Sequence, residues 1–385
     1  MKRTQRTNRL IASLLTIANT FTLAGSVRAA EWQIDTVDQS GSGQYASMQV
    51  DAQGNVHVAY VPDVPGHPLK YAFRDTLGKW FNMTITNVAS FCTLVLDSKQ
   101  YPHVSWADHG TGLGARLRHA QWDGTAWQMA PIDIQPGAVV AYYTGLALDS
   151  KDKPFLSYYD YADATNTFRL RLRSVAWVDD HWEGRTVDAQ GGSGKFNSIA
   201  VDSAGRPQIA YANVKAETSG LRYATWDGSA WKTEIIEGQG VSLPVYAVSL
   251  VMDKKDVPHI TYSLVQTGTV KYATKVAGKW VTEAVDRIRE AAYPDRNGIA
   301  LDRDGTPYIS YFDGRLGTLK VAHKEGSRWV AELLDQNFTG FTSSVAIHDD
   351  TLWVAYSDGP GKALKVAHRA IPRTAPAAEQ AAAKH

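Results

Sequence analysis

Tryptophan recurs along nearly the whole chain at one spacing: Trp32, Trp80, Trp127, Trp182, Trp231, Trp280 and Trp329 are separated by 48, 47, 55, 49, 49 and 49 residues. Between two of them, residues 182 to 231 and just beyond, four runs of β-branched, aromatic and small apolar residues (198–201, 208–211, 221–225, 232–236) are each bounded by Gly, Asp, Asn or Pro. Alternating runs between turn formers predict the four strands of an antiparallel meander. A period near fifty with four strands per unit predicts an all-β chain, a β-propeller in which each unit is one blade.

Other columns keep the same register. An acidic or amide residue ends each Trp-bearing strand: Asp38, Asn87, Asp133, Asp188, Glu237, Asp286 and Asp335. A turn after the first strand of each unit begins with Asp51, Asp97, Asp149, Asp202, Asp253 or Asp302, with His348 in the last unit. A short Asp side chain accepts backbone N–H bonds in such a turn, which accounts for that column. The stretch EWQIDTVD carries a Trp and an acid but supplies only one strand, while the last unit offers three, near 343–347, 352–356 and 364–368. The N-terminal strand is therefore expected to complete the last blade, closing a ring of seven and removing open sheet edges.

The flanks read differently. Lys2, Arg3, Arg6 and Arg9 precede an apolar segment that reaches about Gly25, followed by the small residues Val27, Ala29 and Ala30. That pattern is a secretory signal peptide over residues 1–29, with cleavage expected after Ala29. Ser13, Thr16, Asn19 and Thr20 interrupt the apolar run, which is short for a transmembrane span, so no membrane insertion is expected. Residues 30–370 form the propeller, and 371–385, Ala- and Pro-rich without a repeat partner, read as a disordered tail. Secretion or periplasmic residence follows from the leader. With 40 Lys+Arg against 39 Asp+Glu the chain lacks the basic face that a nucleic-acid partner requires. Its single cysteine, Cys92, allows no intramolecular disulfide.

Segments such as LALDSKDKPFLSYYD, IALDRDGTPYISYFD and LRYATWDGSAW resemble the repeats of exported bacterial propellers in the broad sialidase-like group, of BNR or Asp-box-like type. The resemblance covers almost the whole mature chain and implies architecture; propellers of this look include lectins, polysaccharide lyases and glycosidases. The full Asp-box, Ser-x-Asp-x-Gly-x-Thr-Trp, is not matched: residues 302–306 read DRDGT with no Trp after them, and no Phe-Arg-Ile-Pro stretch occurs. Sialidase activity is accordingly not carried over.

In a four-strand meander the first-to-second and third-to-fourth turns share one end of the blade. Here those turns are short and uniform, as in DSAG and WDGSAW, whereas the opposite end carries VPDVPGHP, ADHGTGLGAR, YDYADATNTFR, ANVKAETSG and DRIREAAYPDRNG. Variable loops on a rigid scaffold are where binding concentrates, so the long-loop face is the expected site. Aromatics stand before the innermost strand at Tyr45, Phe91, Tyr143, Phe196, Tyr246 and Phe341, with Tyr293 displaced. Two readings of this column are open: rings that stack on sugars at the channel mouth, or rings that wedge between blades. An acidic column after the second strand (Asp108, Asp160, Asp313, Asp358, with Asn213 in blade four) faces a cationic one (Lys70, Arg118, Arg173, Arg222, Lys271, Lys320, Lys365) across each hairpin. Cross-strand pairing is its simplest role, a polar ligand-binding ring that includes Asp160 and Asp313 the alternative.

Catalysis needs one asymmetric cluster, whereas the repeat spreads similar residues evenly. The non-repeating polar residues near the long loops are His109, Tyr142, Tyr161, Arg287, Arg289, Arg296 and Arg315. A lyase would use His109 or Tyr161 as base and an arginine such as Arg296 against a uronate carboxylate. His57, His103 and His259 share one repeat column and read as packing positions. No metal-binding spacing, phosphate loop or Gly-x-Ser-x-Gly elbow appears, so neither metal nor cofactor is expected. The sequence thus predicts a lectin-like propeller that binds a glycan or other extracellular polymer through its long-loop face. A polysaccharide lyase and a protein-docking scaffold are the alternatives.

Overall fold

A computed structural model of the chain describes residues 31–108, 116–132, 141–162, 167–215, 217–238, 243–288, 296–336, 339–360 and 362–372. They form seven four-stranded antiparallel sheets. Blades one to six use consecutive strands over 43–86, 90–131, 141–188, 193–237, 245–287 and 298–335. Blade seven combines Thr339–His348, Thr351–Asp358 and Ala363–Ala370 with the N-terminal strand Gln33–Asp38, which pairs antiparallel with Ala363–Ala370. The expected closure is thereby met. Ile371, which the sequence assigns to the tail, packs against this blade, its N–H donating to Asp350 O at 2.6 Å.

Neighbouring blades bury their apolar faces against one another, so the core lies in layers between them. One layer joins blade seven to blade one through Val37, Trp353, Val366, Val58 and Tyr60; another joins blades four and five through Phe196, Tyr223, Val248 and Tyr262. Polar columns pin these layers. In five blades the second strand carries a fully buried tyrosine whose hydroxyl donates to the acid ending the preceding blade's outer strand. Tyr60 bonds Asp38 at 2.6 Å, Tyr211 bonds Asp188 at 2.7 Å, Tyr311 bonds Asp286 at 2.7 Å, Tyr356 bonds Asp335 at 2.8 Å, and Tyr262 bonds Glu237. A lysine of the third strand reaches the same acid in four of these junctions, Lys70, Lys271, Lys320 and Lys365. Burial pushes the Asp38 carboxyl up, but Lys70, Tyr60 and Ser40 together outweigh it and hold the group at about 2.

The cationic column therefore serves two blades at once: the expected bond across one hairpin is made, and a carboxylate of the preceding blade is reached as well. Lys320 and Lys365 also meet Asp313 and Asp358, each at 2.7 Å, and Arg118 meets Asp108 at 3.1 Å. Blade three departs from the column: Asp160 pairs with Arg171 at 2.8 Å and Arg169 at 3.7 Å, while Arg173 turns to Thr186 Oγ1 at 3.2 Å.

At the short-turn end the aspartate column behaves as its chemistry requires. Asp51 Oδ1 accepts the N–H groups of Gln53 and Asn55, and Asp97, Asp149, Asp202, Asp253 and Asp302 repeat the pattern. The histidine column sits just inside these turns: His57 and His259 bond the tyrosines Tyr71 and Tyr272 of the third strand. In blade two that tyrosine is replaced by His119, whose Nε2 lies 3.1 Å from His103 Nδ1. Burial, and then His103, push the His119 pKa down from 6.5 to about 3. Burial also lowers His103, against the opposing pull of Asp97 and Asp152.

A histidine kept neutral by the fold binds protons more readily once unfolded, so its stabilising contribution is complete above pH 6.5 and declines as pH falls below it. Between pH 7 and pH 5, His119 is expected to cost the fold about 2 kcal/mol, taking 1.36 kcal/mol per unit over the 1.5 units below the ordinary value. His119→Tyr, the residue found at Tyr71, Tyr223 and Tyr272, should remove that loss. Urea titrations of both proteins at the two pH values check this; identical pH dependence would contradict it.

Candidate functional site

The seven innermost strands line an axial channel with a cavity of about 170 Å³, bordered among others by Ser47, Thr93, Ser198, Ser249, Arg296 and Ser344. In blades one to five each innermost strand enters through a bulge, between Gln44/Ser47, Ser90/Thr93, Tyr142/Gly145, Lys195/Ser198 and Tyr246/Ser249. At these bulges Tyr45, Phe91, Tyr143, Phe196 and Ala247 hold left-handed backbone, φ between 48° and 54°. Such φ values are uncommon for bulky side chains, and they lift the rings out of the strand ladder.

The rings then follow one another around the channel mouth. Centroid distances are 4.6 Å for Tyr45–Phe91, 4.7 Å for Phe91–Tyr143, 4.6 Å for Tyr143–Phe196 and 4.8 Å for Phe196–Tyr246. Each contact joins adjacent blades. Phe196 is buried and the other four are half-buried. The side chain of Phe341, and Tyr293 as a whole, lie outside the described residues.

Blade six carries Arg296 where the first four blades carry an aromatic. Its guanidinium crosses the channel mouth to blade two, donating to Cys92 O at 3.4 Å and Thr93 Oγ1 at 3.0 Å. Thr93 in turn donates to Thr144 O at 2.7 Å. Cys92 is buried, and burial pushes its thiol up to about 12 against the opposing effect of Arg296.

From Phe91 a second aromatic line leaves the ring and runs out onto the long hairpin of blade three. Phe91–Tyr142, Tyr142–Tyr161 and Tyr161–Phe168 meet edge to face at 5.7, 5.6 and 5.0 Å, and Tyr159 lies 6.0 Å from Tyr161. Exposure increases along this line, from half-buried Tyr142 and Tyr161 to 63% at Phe168. Burial, and then Tyr161, raise the pKa of Tyr142 and bring that of Tyr159 to about 12. Both hydroxyls therefore keep their protons at neutral pH and can donate as well as accept. Lys195 of blade four places its ammonium 5.9 Å from the Tyr159 ring.

The polar residues singled out from sequence are scattered. Tyr161 belongs to the strand Pro154–Ala162 and not to a loop, and it joins the aromatic line. Arg296 is tied across the channel, and His109 and Arg289 lie outside the described residues. Asp160 and Asp313 are 0% and 1% exposed, so both carboxylates face cations inside the fold and neither faces solvent. Phe168, Tyr159 and Lys195 were not singled out by sequence. The signal was present: YDYADATNTFR is the hairpin with an aromatic at either end, and Lys195 shares a repeat column with Tyr142 and Tyr246.

No protein-family model matches the sequence, nor does any curated protein. Solved structures do match. An ulvan lyase, a polysaccharide lyase bound to -[GlcA(1-4)Rha3S]-, is 12% identical with a TM-score of 0.56, covering 87% of this chain and 95% of its own. A Hadza microbial sialidase is 11% identical with a TM-score of 0.51, covering 82% and 76%. A mutant of the Aleuria aurantia lectin in complex with α-methyl-L-fucoside is 12% identical with a TM-score of 0.51, covering 77% and 97%. At such identities the likeness concerns the fold, and the resemblance to sialidase-like propellers holds at the level of architecture.

Proposed function

We propose that this chain is an exported, lectin-like propeller that binds a glycan on its long-loop face, at the aromatic line of blade three. One observation carries the reading: Phe91, Tyr142, Tyr161 and Phe168 form a continuous aromatic path from the channel mouth into solvent. Aromatic faces stack on the C–H faces of sugar rings, and the hydroxyls of Tyr142 and Tyr161 supply hydrogen bonds beside them. The mutually packed rings Tyr45, Phe91, Tyr143, Phe196 and Tyr246 serve as the rigid rim from which this path projects. Structural neighbours of the same fold that are named as a lectin, a sialidase and a polysaccharide lyase support carbohydrate as the ligand class.

The test is binding to a panel of polysaccharides and oligosaccharides by wild type, Phe168→Ala and Tyr161→Ala. Each substitution should weaken binding by about 1 to 3 kcal/mol, taking stacking on an aromatic side chain as the guide, with unchanged thermal unfolding. Undiminished binding by both variants would remove the ligand from this face. Release of unsaturated uronate products by wild type, lowered about 100-fold or more by Tyr161→Phe, would replace the lectin by the lyase.

A further inference from the structure

At three junctions the outer-strand indole donates to an acid of the preceding blade: Trp80 to Asp35 at 3.0 Å, Trp280 to Glu234 and Trp329 to Glu283, both at 2.9 Å. A cation of the third strand, Arg74, Lys275 or Lys324, closes on the same carboxylate. Each of these acids stands three residues after the tryptophan of its own blade. Trp127 donates instead to Met83 Sδ at 3.3 Å. In blade two that position is Ala130, and among the described residues the buried Nε1 of Trp182, like those of Trp32 and Trp231, has no acceptor. Where Arg185 takes the acid's place, between blades three and four, its guanidinium spreads over Trp226 at 4.5 Å.

Two further departures fall at the same junction. His119 stands where Tyr71, Tyr223 and Tyr272 stand, and Trp177, like Trp122 and Trp226 in the adjacent blades, replaces the cation of Arg74, Lys275 and Lys324. The three changes coincide with a cavity of about 400 Å³ at the short-turn end, lined by His119, Met129, Trp177, Trp182, Lys151 and Lys153. His103, also on its wall, is 2% exposed, and among the described residues its Nε2 has no hydrogen-bond partner, Asp97 standing 3.7 Å away. Lys151 and Lys153 are exposed and, among the described residues, have no carboxylate partner; the nearby Asp152 is held by Ser98 at 2.6 and 2.8 Å.

We propose that this lateral pocket binds a small carboxylic acid built on a ring. Its carboxylate supplies the acceptor that the repeat provides at three other junctions, within reach of the Trp182 indole N–H and the two lysines. Its ring lies against Trp177 and Met129. A buried donor without a partner rewards an entering acceptor, because bulk water does not reach it. Charge-assisted bonds from lysine add selectivity for the ionised form.

Calorimetric titration of the full chain with phenylacetate against phenylacetamide, and with D-glucuronate against D-glucose, tests the pocket and distinguishes aromatic from sugar acids. At least one acid should bind about tenfold or more tighter than its neutral counterpart, with affinity falling as salt rises. Ala130→Glu returns the missing carboxylate to the junction at an exposed position, and should abolish acid binding while preserving the thermal midpoint. Should that variant fold poorly, Lys151→Gln with Lys153→Gln is expected to lower acid affinity alone. Phe168→Ala should leave this binding untouched, since the long-loop face is at the other end of the blade. Equal binding of acid and neutral partner, wild-type affinity in Ala130→Glu, or no binding of any of the four probes would overturn the proposal.

Discussion

Deleting residues 31–38 is expected to lower the thermal midpoint by about 10 °C or more and to make the protein aggregate. The removed strand pairs along Ala363–Ala370, and Val37 belongs to the core layer between blades seven and one. Asp38 goes with it, and Tyr60 and Lys70 then lose the carboxylate they share. Several kcal/mol of packing and hydrogen bonding vanish together, at about 2 to 4 °C per kcal/mol for a large domain. The exposed edge of Ala363–Ala370 is then free to pair with another chain. Light scattering and a melting curve decide the matter; a monomer melting at the wild-type temperature would show that the ring does not depend on this closure.

Asp188→Ala should be the most costly single substitution among the inter-blade acids. Its carboxylate is buried and accepts from Tyr211 Oη at 2.7 Å, Ser193 Oγ at 2.9 Å and Gln190 N at 2.8 Å. Hydrogen bonds to a charged group contribute about 1.5 to 3 kcal/mol each, and a buried hydroxyl left alone adds its desolvation cost, so a loss of about 3 to 5 kcal/mol is expected. Glu183→Gln provides the contrast on the same strand. Its partner Arg185 is solvent-exposed, and solvent screening leaves such a pair little net effect on stability. Urea midpoints of the two variants separate the accounts: similar small losses would mean that the columns do not hold blades together.

Architecture was legible because each blade repeats its own instructions. Trp spacing, turn aspartates and the unpaired EWQIDTVD announce seven blades and their closure without reference to any distant contact. Contacts between blades were less legible, since a column records what each blade offers and not which neighbour receives it. The acids from Asp38 to Asp335 were visible as a column, yet their partners Tyr60, Tyr211, Tyr311 and Tyr356 belong to the next blade in the ring. Burial was hidden for the same reason: Asp160 and Asp313 read as surface polar residues until neighbouring sheets covered them. Bulges lengthen the innermost strands past their alternating core, so Ser193–Val201 extends well before the run at 198–201.

Both proposed sites lie where the repeat fails. Blade three has the long hairpin that carries Tyr161 and Phe168, and blade two lacks both the acid of Asp35, Glu234 and Glu283 and the tyrosine of Tyr71, Tyr223 and Tyr272. Aligning the seven units exposes Ala130 against Asp35, Glu234, Glu283 and Glu332 from sequence alone, but whether the gap is filled or open depends on packing. Met83 and Arg185 fill it at two junctions; at the third a cavity remains.

The most direct measurement of the central claim is the position of a bound saccharide. A crystal of this chain soaked with the tightest-binding oligosaccharide of the panel should place a sugar ring within about 4 Å of Phe168 and Tyr161, the range of side-chain contact. A saccharide seated only at the short-turn end, with the blade-three hairpin bare, would contradict it.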